Sequence, residues 1–186
     1  MVMLNWLHDP LVHLTIQLAV ALLFSLSALH KLADRPRFAI ALEGYAQVFG
    51  RLLPPTLRYL LGWLLPALEL TAAGALLISL QQPLAVLPAV SLLVLYTGVL
   101  QVSLKYGSAV ADCGCHPGSR QQPPSQALVV RNLLLIALTS MLLWPVSARA
   151  LGWFDLLALV SALATCVLLF ALANQLISNH SLLRRP

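Results

Sequence analysis

Residues 153–177, which read WFDLLALVSALATCVLLFALANQLI, decide the class of this protein. This stretch of 25 residues holds a single charged side chain, Asp155. A helix rises about 1.5 Å per residue, so about 20 apolar residues cross the hydrocarbon core of a bilayer, which is about 30 Å thick. We therefore predict a transmembrane helix here. Four other stretches meet the same criterion: about 11–32, 59–80, 84–104 and 128–146.

The composition of the whole chain agrees with this prediction. Of its 186 residues 60% are hydrophobic and 9% are charged, and the mean hydropathy is +0.87. A soluble domain carries roughly 25% charged residues, so much of the surface of this chain must face lipid. The net charge is +5, but the Lys and Arg residues are scattered between apolar blocks and form no binding patch. We therefore interpret them as charges that orient the protein in the membrane and expect no nucleic-acid partner. We predict an all-α polytopic membrane helical bundle of about five transmembrane helices, forming a single domain over 1–186.

The connections between the predicted helices differ in length. Only residues 81–83 separate the second stretch from the third, which predicts a tight antiparallel hairpin. Residues 31–58 mix apolar and charged side chains, which is typical of a short amphipathic helix at the membrane interface. Residues 105–127 are rich in Gly, Pro, Ser and Gln, which predicts an irregular loop.

The basic residues predict an orientation. No Lys or Arg precedes the first apolar stretch, so we expect no cleaved signal peptide and a first helix that stays in the membrane. If five helices alternate, ten of the eleven Lys and Arg residues fall on the side of the two long connections, and only Arg149 falls on the other. The positive-inside rule then places the N-terminus outside and both long connections in the cytoplasm.

The loop at 105–127 contains the motif Asp112-Cys113-Gly114-Cys115-His116. A Cys-x-Cys pair can close a disulfide across a very short ring, and such a bond departs from relaxed geometry, so it exchanges readily. A protonated His116 favours the thiolate, and Asp112 can relay a proton. We therefore expect Cys113 and Cys115 to be a redox dithiol. Two alternatives stay open: incidental loop cysteines, and a metal site made by Cys113, Cys115 and His116, although we predict no metal.

The third cysteine, Cys166, is of a different kind. It lies alone in the middle of the fifth predicted helix. An isolated thiol in an apolar helix usually acts as a small hydrophobic core residue. We expect it to be a buried structural thiol.

Polar residues inside the predicted membrane segments form a second group. Ser27, His30, Lys31 and Asp34 follow a spacing that puts them on one face of the first helix. Glu69 lies about ten residues, or about 15 Å, into the second helix. A lone carboxylate at that depth costs several kcal/mol, so we expect it to be protonated or paired with His30 or Lys31.

Arg131 and Asn132 begin the fourth helix on the same predicted membrane side as the thiols. The alternation of helices therefore allows His30, Lys31, Glu69 and Arg131 to converge near the Cys-Gly-Cys loop. An alternative for Lys31, Asp34 and Arg131 is that they anchor helix ends at the lipid headgroups. The candidate site consists of Cys113 and Cys115 as the catalytic pair and of the supporting polar residues His30, Lys31, Asp34, Glu69, Asp112, His116, Arg131 and Asn132.

Four of these patterns occur together in one known family. They are Ser27-Ala28-Leu29-His30-Lys31-Leu32 with Asp34, Pro66-Ala67-Leu68-Glu69-Leu70, Asp112-Cys113-Gly114-Cys115, and Val130-Arg131-Asn132. With these motifs, over about residues 20–140, the sequence resembles the MauE family. Its members are small membrane proteins of methylamine-utilisation clusters that are related to DoxX-type proteins.

The resemblance implies a location and a role. It implies a multi-pass protein of the bacterial inner membrane that supports the maturation of methylamine dehydrogenase. The implied partner is a thioredoxin-like protein of the MauD type, and the implied client is the periplasmic small subunit, in which disulfides form or rearrange. A periplasmic client conflicts with a cytoplasmic Cys-Gly-Cys loop. Either the orientation rule fails here, or the dithiol carries electrons from one side of the membrane to the other.

Two other classes of function stay open. The chain can be a quinone-linked oxidoreductase subunit, because an apolar bundle can house the tail of a lipid quinone. It can also be a small transporter that uses Glu69 as its titrating group, although the sequence shows neither an internal repeat nor matched broken helices. In the favoured interpretation the chain is a component of a thiol–disulfide oxidoreductase system and not an enzyme in isolation.

Overall fold

A computed structural model describes residues 8–106, 125–147 and 149–183 of the chain. Within these ranges the regular structure is helical, and no strand is found. Six α-helices follow one another: α1 Pro10–Ala33, α2 Arg35–Phe49, α3 Pro55–Leu77, α4 Leu87–Tyr106, α5 Gln126–Ser140 and α6 Trp153–Leu183.

Five helical segments are long and apolar enough to cross a membrane, which confirms the predicted all-α polytopic bundle. They are Pro10–Ala33, Pro55–Leu77, Pro83–Lys105, Gln126–Leu143 and Trp153–Ile177. That the whole chain forms one domain stays a prediction.

Prolines explain where two of these segments depart from the expected bounds. The second segment begins at Pro55 instead of residue 59, because a proline at the first helical position lacks only an N–H that the helix does not use. The fourth segment ends at Leu143, three residues early. Trp144 is extended there because a residue before proline, here Pro145, is disfavoured in the α conformation.

The core lies between α1, α3 and the beginning of α4. Small side chains on α1 and α3, among them Ala28 and Ala72 with no exposed surface, let the two helix backbones approach closely. Larger apolar side chains fill the space around them. The main cluster consists of Val20, Ala21, Phe24, Ala72, Ala73, Leu76, Val86, Ala89, Leu92, Leu93 and Leu142.

Helix α2 confirms the prediction of a helix within residues 31–58, and it packs on α3. Only Asp34 separates it from α1, and the Asp34 carboxylate caps it by accepting a hydrogen bond of 3.2 Å from the Arg37 backbone N–H. Its buried side chains are Phe38, Ala41 and Leu42. That α2 lies at the membrane interface stays a prediction.

The beginning of α1 is joined to the connection between α5 and α6. The backbone N–H and the hydroxyl of Ser147 both donate to the His8 carbonyl at 2.8 Å. Arg149 pairs with Asp9 at 3.3 Å and with Asp155 at 2.8 Å. Arg149 is the basic residue that the sequence places on the membrane side opposite the two long connections, and two carboxylates balance its charge. The orientation itself stays a prediction.

The prediction that Cys166 is buried is wrong. Every side chain from Trp153 to Ala173 on α6 is exposed or half-buried, and Cys166 is exposed. This helix is apolar on all sides and packs on the bundle along one side, so most of its surface is left for lipid. In lipid an apolar side chain needs no protein around it, so a lone thiol in an apolar helix does not have to be a core residue.

Candidate functional site: a buried ion pair between α1, α3 and α4

Glu69 and Lys31 form an ion pair inside the bundle. Glu69 has no exposed surface, and Lys31 is 3% exposed. Glu69 lies about 21 Å along α3 from Pro55 and about 12 Å from Leu77, so it is far from both ends of α3. The expectation that this carboxylate is protonated or paired is met by pairing, and the partner is Lys31.

Two further side chains complete the group around the carboxylate. The Ser27 hydroxyl donates to Glu69 Oε1 at 3.0 Å, and the Tyr96 hydroxyl donates to the same oxygen at 2.8 Å. Lys31 Nζ also donates to the Tyr96 hydroxyl oxygen at 3.3 Å. We call Ser27, Lys31, Glu69 and Tyr96 the Glu69 cluster.

The helices bring the cluster together from three directions. Ser27 and Lys31 are four residues apart on α1, so they lie on one face, one turn above the other. Glu69 comes from α3 and Tyr96 from α4. The aromatic rings of Phe38 and Tyr96 lie 5.4 and 5.0 Å from Lys31 Nζ, which adds cation–π attraction in a site shielded from water.

The two carboxylate oxygens of Glu69 have different surroundings. Oε1 accepts hydrogen bonds from Ser27, Lys31 and Tyr96, whereas Oε2 is buried and has no hydrogen-bond partner among the residues that the structure describes. A buried polar atom without a partner costs about 1–3 kcal/mol, and such atoms are rare in native structures. Oε2 is thus the atom of the cluster that is open to accept a further hydrogen bond.

His30 and Asp34 do not join the cluster, although the helical spacing put them on the same face. His30 is half-buried and is not among the partners of Glu69 in the described part of the chain. Asp34 ends α1, where its backbone N–H donates to the His30 carbonyl at 3.0 Å, and its carboxylate caps α2. The structure therefore gives Asp34 a role at a helix boundary.

Arg131 and Asn132 belong to a second group between α5 and α6. Arg131 Nη1 donates to Asn174 Oδ1 at 2.6 Å, and Nη2 donates to Asn132 Oδ1 at 3.3 Å. The guanidinium also lies 5.3 Å from the centroid of the Phe170 ring. Asn132 and Asn174 are 4% and 1% exposed, so the two amides are buried, whereas Arg131 is half-buried. Its contacts join α5 to α6 and not to Glu69.

Asp112, Cys113, Cys115 and His116 lie outside the described residues. The helix ends on either side of this segment are described and lie next to each other. Together they line a groove of about 670 Å³ between α4 and α5. Its lining residues are Gln101, Val102, Leu104, Lys105, Gln126, Val129, Val130 and Leu133.

The described residues contain no set of side chains that could bind a metal ion. No group of three or more His, Cys, Asp or Glu side chains lies close enough there to hold a metal ion. The alternative set of Cys113, Cys115 and His116 falls in the segment that the structure does not describe, so the prediction of no metal stays a prediction.

Tyr96 and Asn174 are the site residues that the sequence interpretation missed. Each is a polar side chain inside an otherwise apolar membrane segment, and such residues usually face the interior of a bundle. This signal was present in the sequence. Neither residue stood near a charged motif, so spacing along the chain did not connect Tyr96 with Lys31 and Glu69.

Comparison with known proteins assigns the family. Residues 9–145 match the family model described as methylamine utilisation protein MauE. The chain is 31% identical to the methylamine utilization protein MauE of Paracoccus denitrificans over 73% of this chain and 70% of the relative. It is 33% identical to the MauE protein of Paracoccus versutus over 91% of this chain and 89% of the relative.

A third relative is the MauE protein of Methylophilus methylotrophus, which is 32% identical over 60% of this chain and 56% of the relative. No solved structure matches the chain. The family model covers well over half of the chain and includes the whole Glu69 cluster. This multi-pass membrane protein therefore belongs to the MauE family of methylamine utilisation proteins.

Proposed function

We propose that this protein is a membrane redox component that supports disulfide formation in the small subunit of methylamine dehydrogenase. It acts with a thioredoxin-like partner of the MauD type in the bacterial inner membrane, and Cys113 and Cys115 are its working pair. The observation that carries the proposal is a Cys-Gly-Cys motif within the residues that match the MauE family.

The packing of α4 and α5 supports this role. Their ends line one groove, so the segment from 107 to 124 begins and ends at the same edge of the bundle. The proposal places the dithiol near the bilayer, because the residues that flank the segment belong to membrane helices. The proposal needs this, because the thiols must meet a partner that works at or across the membrane.

The proposed step is a thiol–disulfide exchange in which electrons and protons are conserved. A thiolate of the reduced client attacks the Cys113–Cys115 disulfide and forms a mixed disulfide, which a second client thiolate resolves. The client loses two electrons and two protons and gains one disulfide, and Cys113 and Cys115 become two thiols. The dithiol is then oxidised again by passing two electrons and two protons to the disulfide of the thioredoxin-like partner.

A lipid quinone is the alternative acceptor, and it takes up the same two electrons and two protons to become a quinol. The groove of about 670 Å³ between α4 and α5 favours this alternative, because it is lined by the helix ends that flank the thiol segment and most of its lining residues are apolar. In that case the chain is a quinone-linked oxidoreductase subunit with the same dithiol.

Trapping of the mixed disulfide tests the proposal. Cys113→Ser and Cys115→Ser, made singly in cells that express the methylamine-utilisation proteins, should each leave one thiol of the Cys113–Cys115 pair. In at least one variant that thiol should hold the partner or the client in a covalent complex on a non-reducing gel. The double variant should abolish the oxidised small subunit and growth on methylamine, because no exchange-active pair remains.

Cys166→Ser is the matched control, since it removes a thiol from the exposed surface of α6 and should change neither readout. A metal site predicts a different result, in which both cysteines stay reduced and react with alkylating agents only after a chelator is added. A fully oxidised client in the double variant would show that the dithiol has no part in maturation.

A further inference from the structure

A second cavity lies between α2 and the first turns of α3, away from the Glu69 cluster. It has a volume of about 460 Å³. The charged and aromatic residues of its wall are Arg35, Glu43, Arg58, Tyr59 and Trp63, and we call this cavity the α2–α3 pocket.

The charges of the α2–α3 pocket favour an anion. Arg35 and Arg58 bring two guanidinium groups and Glu43 brings one carboxylate, so the wall has a net positive charge. The Arg58 Nε atom is buried and has no hydrogen-bond partner within the described ranges. A buried donor without an acceptor is costly, so the hydrogen bonding of the Arg58 guanidinium is incomplete within the protein. The planar fork of an arginine fits the oxygens of a phosphate group.

The Arg35 guanidinium is held in place by an aromatic ring. Its central carbon lies 3.6 Å from the centroid of the Trp63 ring, which is the distance of a stacked cation–π contact. Stacking leaves the edge of the guanidinium, with its N–H groups, free to donate. Arg58 lies in the first turn of α3, which has no side-chain N-cap, and the positive end of a helix dipole favours an anion there.

The surroundings of the pocket indicate that the anion is part of a lipid. Tyr59 and Trp63 are 77% and 48% exposed, and aromatic side chains of this kind concentrate where membrane helices meet the headgroups. The remaining wall is apolar and includes Leu42 and Gly62, which suits a glycerol backbone and the beginning of acyl chains. A free phosphate would gain nothing from these apolar walls.

We propose that the α2–α3 pocket binds the phosphodiester headgroup of an anionic phospholipid. Arg35 and Arg58 bind the phosphate, and Tyr59 and Trp63 border the acyl chains. This site is separate from the proposed redox function and does not depend on it.

Lipid titration of the purified full-length protein in detergent micelles tests the proposal. Phosphatidylglycerol is added, with phosphatidylcholine in parallel, and bound lipid is counted by native mass spectrometry. The wild type should bind phosphatidylglycerol more tightly. Arg35→Gln and Arg58→Gln should each weaken that binding by about fivefold, since a basic side chain near anionic lipid contributes about that factor. Glu43→Gln should strengthen binding, because it removes the repelling carboxylate.

Arg51→Gln is the matched control, because it removes the same charge from an exposed residue close in sequence that does not line the pocket. An equal loss in Arg51→Gln and the pocket variants would mean that general surface charge attracts the lipid, and the pocket assignment would be wrong. Unchanged binding in the Arg35→Gln/Arg58→Gln double variant would also show that the pocket assignment is wrong. Displacement of the lipid by equimolar inorganic phosphate or glycerol phosphate would overturn the lipid as the source of the phosphate.

A readout on the native pocket covers the case in which an arginine variant fails to fold. Trp63 is kept as the only tryptophan by changing Trp6, Trp144 and Trp153 to Phe. Phosphatidylglycerol with brominated acyl chains should then quench its fluorescence more strongly than brominated phosphatidylcholine at equal concentration. Equal quenching by the two lipids would contradict a specific headgroup site.

Discussion

The charge-neutralising substitution Glu69→Gln should destabilise the protein strongly. It keeps the size of the side chain but leaves the Lys31 ammonium, 3% exposed, without a counter-charge. Breaking a buried pair by removing one partner costs about 3–5 kcal/mol, because the remaining charge has lost its solvation. Lys31→Met should cost less, since the carboxylate keeps the hydroxyl donors of Ser27 and Tyr96.

The double variant Lys31→Met/Glu69→Gln is the decisive measurement. Without either charge the site becomes nearly neutral, so most of the loss should be recovered, with a coupling energy of at least about 2 kcal/mol between the two positions. The free energy of unfolding can be measured by titrating SDS into detergent micelles and following the far-ultraviolet circular dichroism. Each single variant and the double variant are compared with the wild type under the same conditions.

The ion pair of Arg149 and Asp155, of which the arginine is exposed, supplies the control. The Arg149 side chain is 45% exposed, so Arg149→Gln should cost at most about 1 kcal/mol. If Glu69→Gln cost no more than Arg149→Gln, or if the two single losses at Lys31 and Glu69 simply added, the two groups would not form a buried, coupled pair. The account of the Glu69 cluster would then be refuted.

Two further predictions concern the arrangement in the membrane. Reporter fusions should give cytoplasmic signals after Arg58, Arg120 and Pro186 and periplasmic signals after Gln82 and Arg149; periplasmic signals at both long connections would invert the orientation and agree with a periplasmic dithiol. Cys166→Phe should change the free energy of unfolding by less than about 0.5 kcal/mol, because the residue faces lipid. Ala28→Phe, at a position with no exposed surface, should cost about 1–3 kcal/mol or more, and an equal cost at Cys166 would mean that another protein surface covers it.

Hydropathy was sufficient to predict the helices because a membrane span depends on a property that adds up along the chain. A segment crosses the bilayer when enough consecutive residues are apolar, whatever they contact. Local chemistry refined the bounds, as the early end of the fourth span before Pro145 illustrates. The sequence also limited the partner of Glu69 to His30 or Lys31, because an isolated carboxylate in an apolar helix needs a proton or an opposite charge.

Choosing between those two partners required the packing of the helices. His30 and Lys31 are adjacent in sequence, so spacing along α1 could not separate them, but neighbouring residues on a helix point about 100° apart. The position of α3 relative to α1 decides that Lys31 reaches Glu69. Tyr96 illustrates the same limit, because it is 27 residues from Glu69 and joins it only through the packing of α4 on α3.

By itself the sequence determined the class of the protein, the number of its spans, the motifs of its family and the need of Glu69 for a partner. These features follow from composition and local spacing, which do not depend on how the helices are arranged. Only the tertiary structure decided that Lys31, Ser27 and Tyr96 share one carboxylate oxygen, that Arg131 turns to Asn174, and that Cys166 faces outward. The physical reason is that lipid accepts any apolar helix face, so the hydropathy of a helix does not reveal which of its faces meets protein.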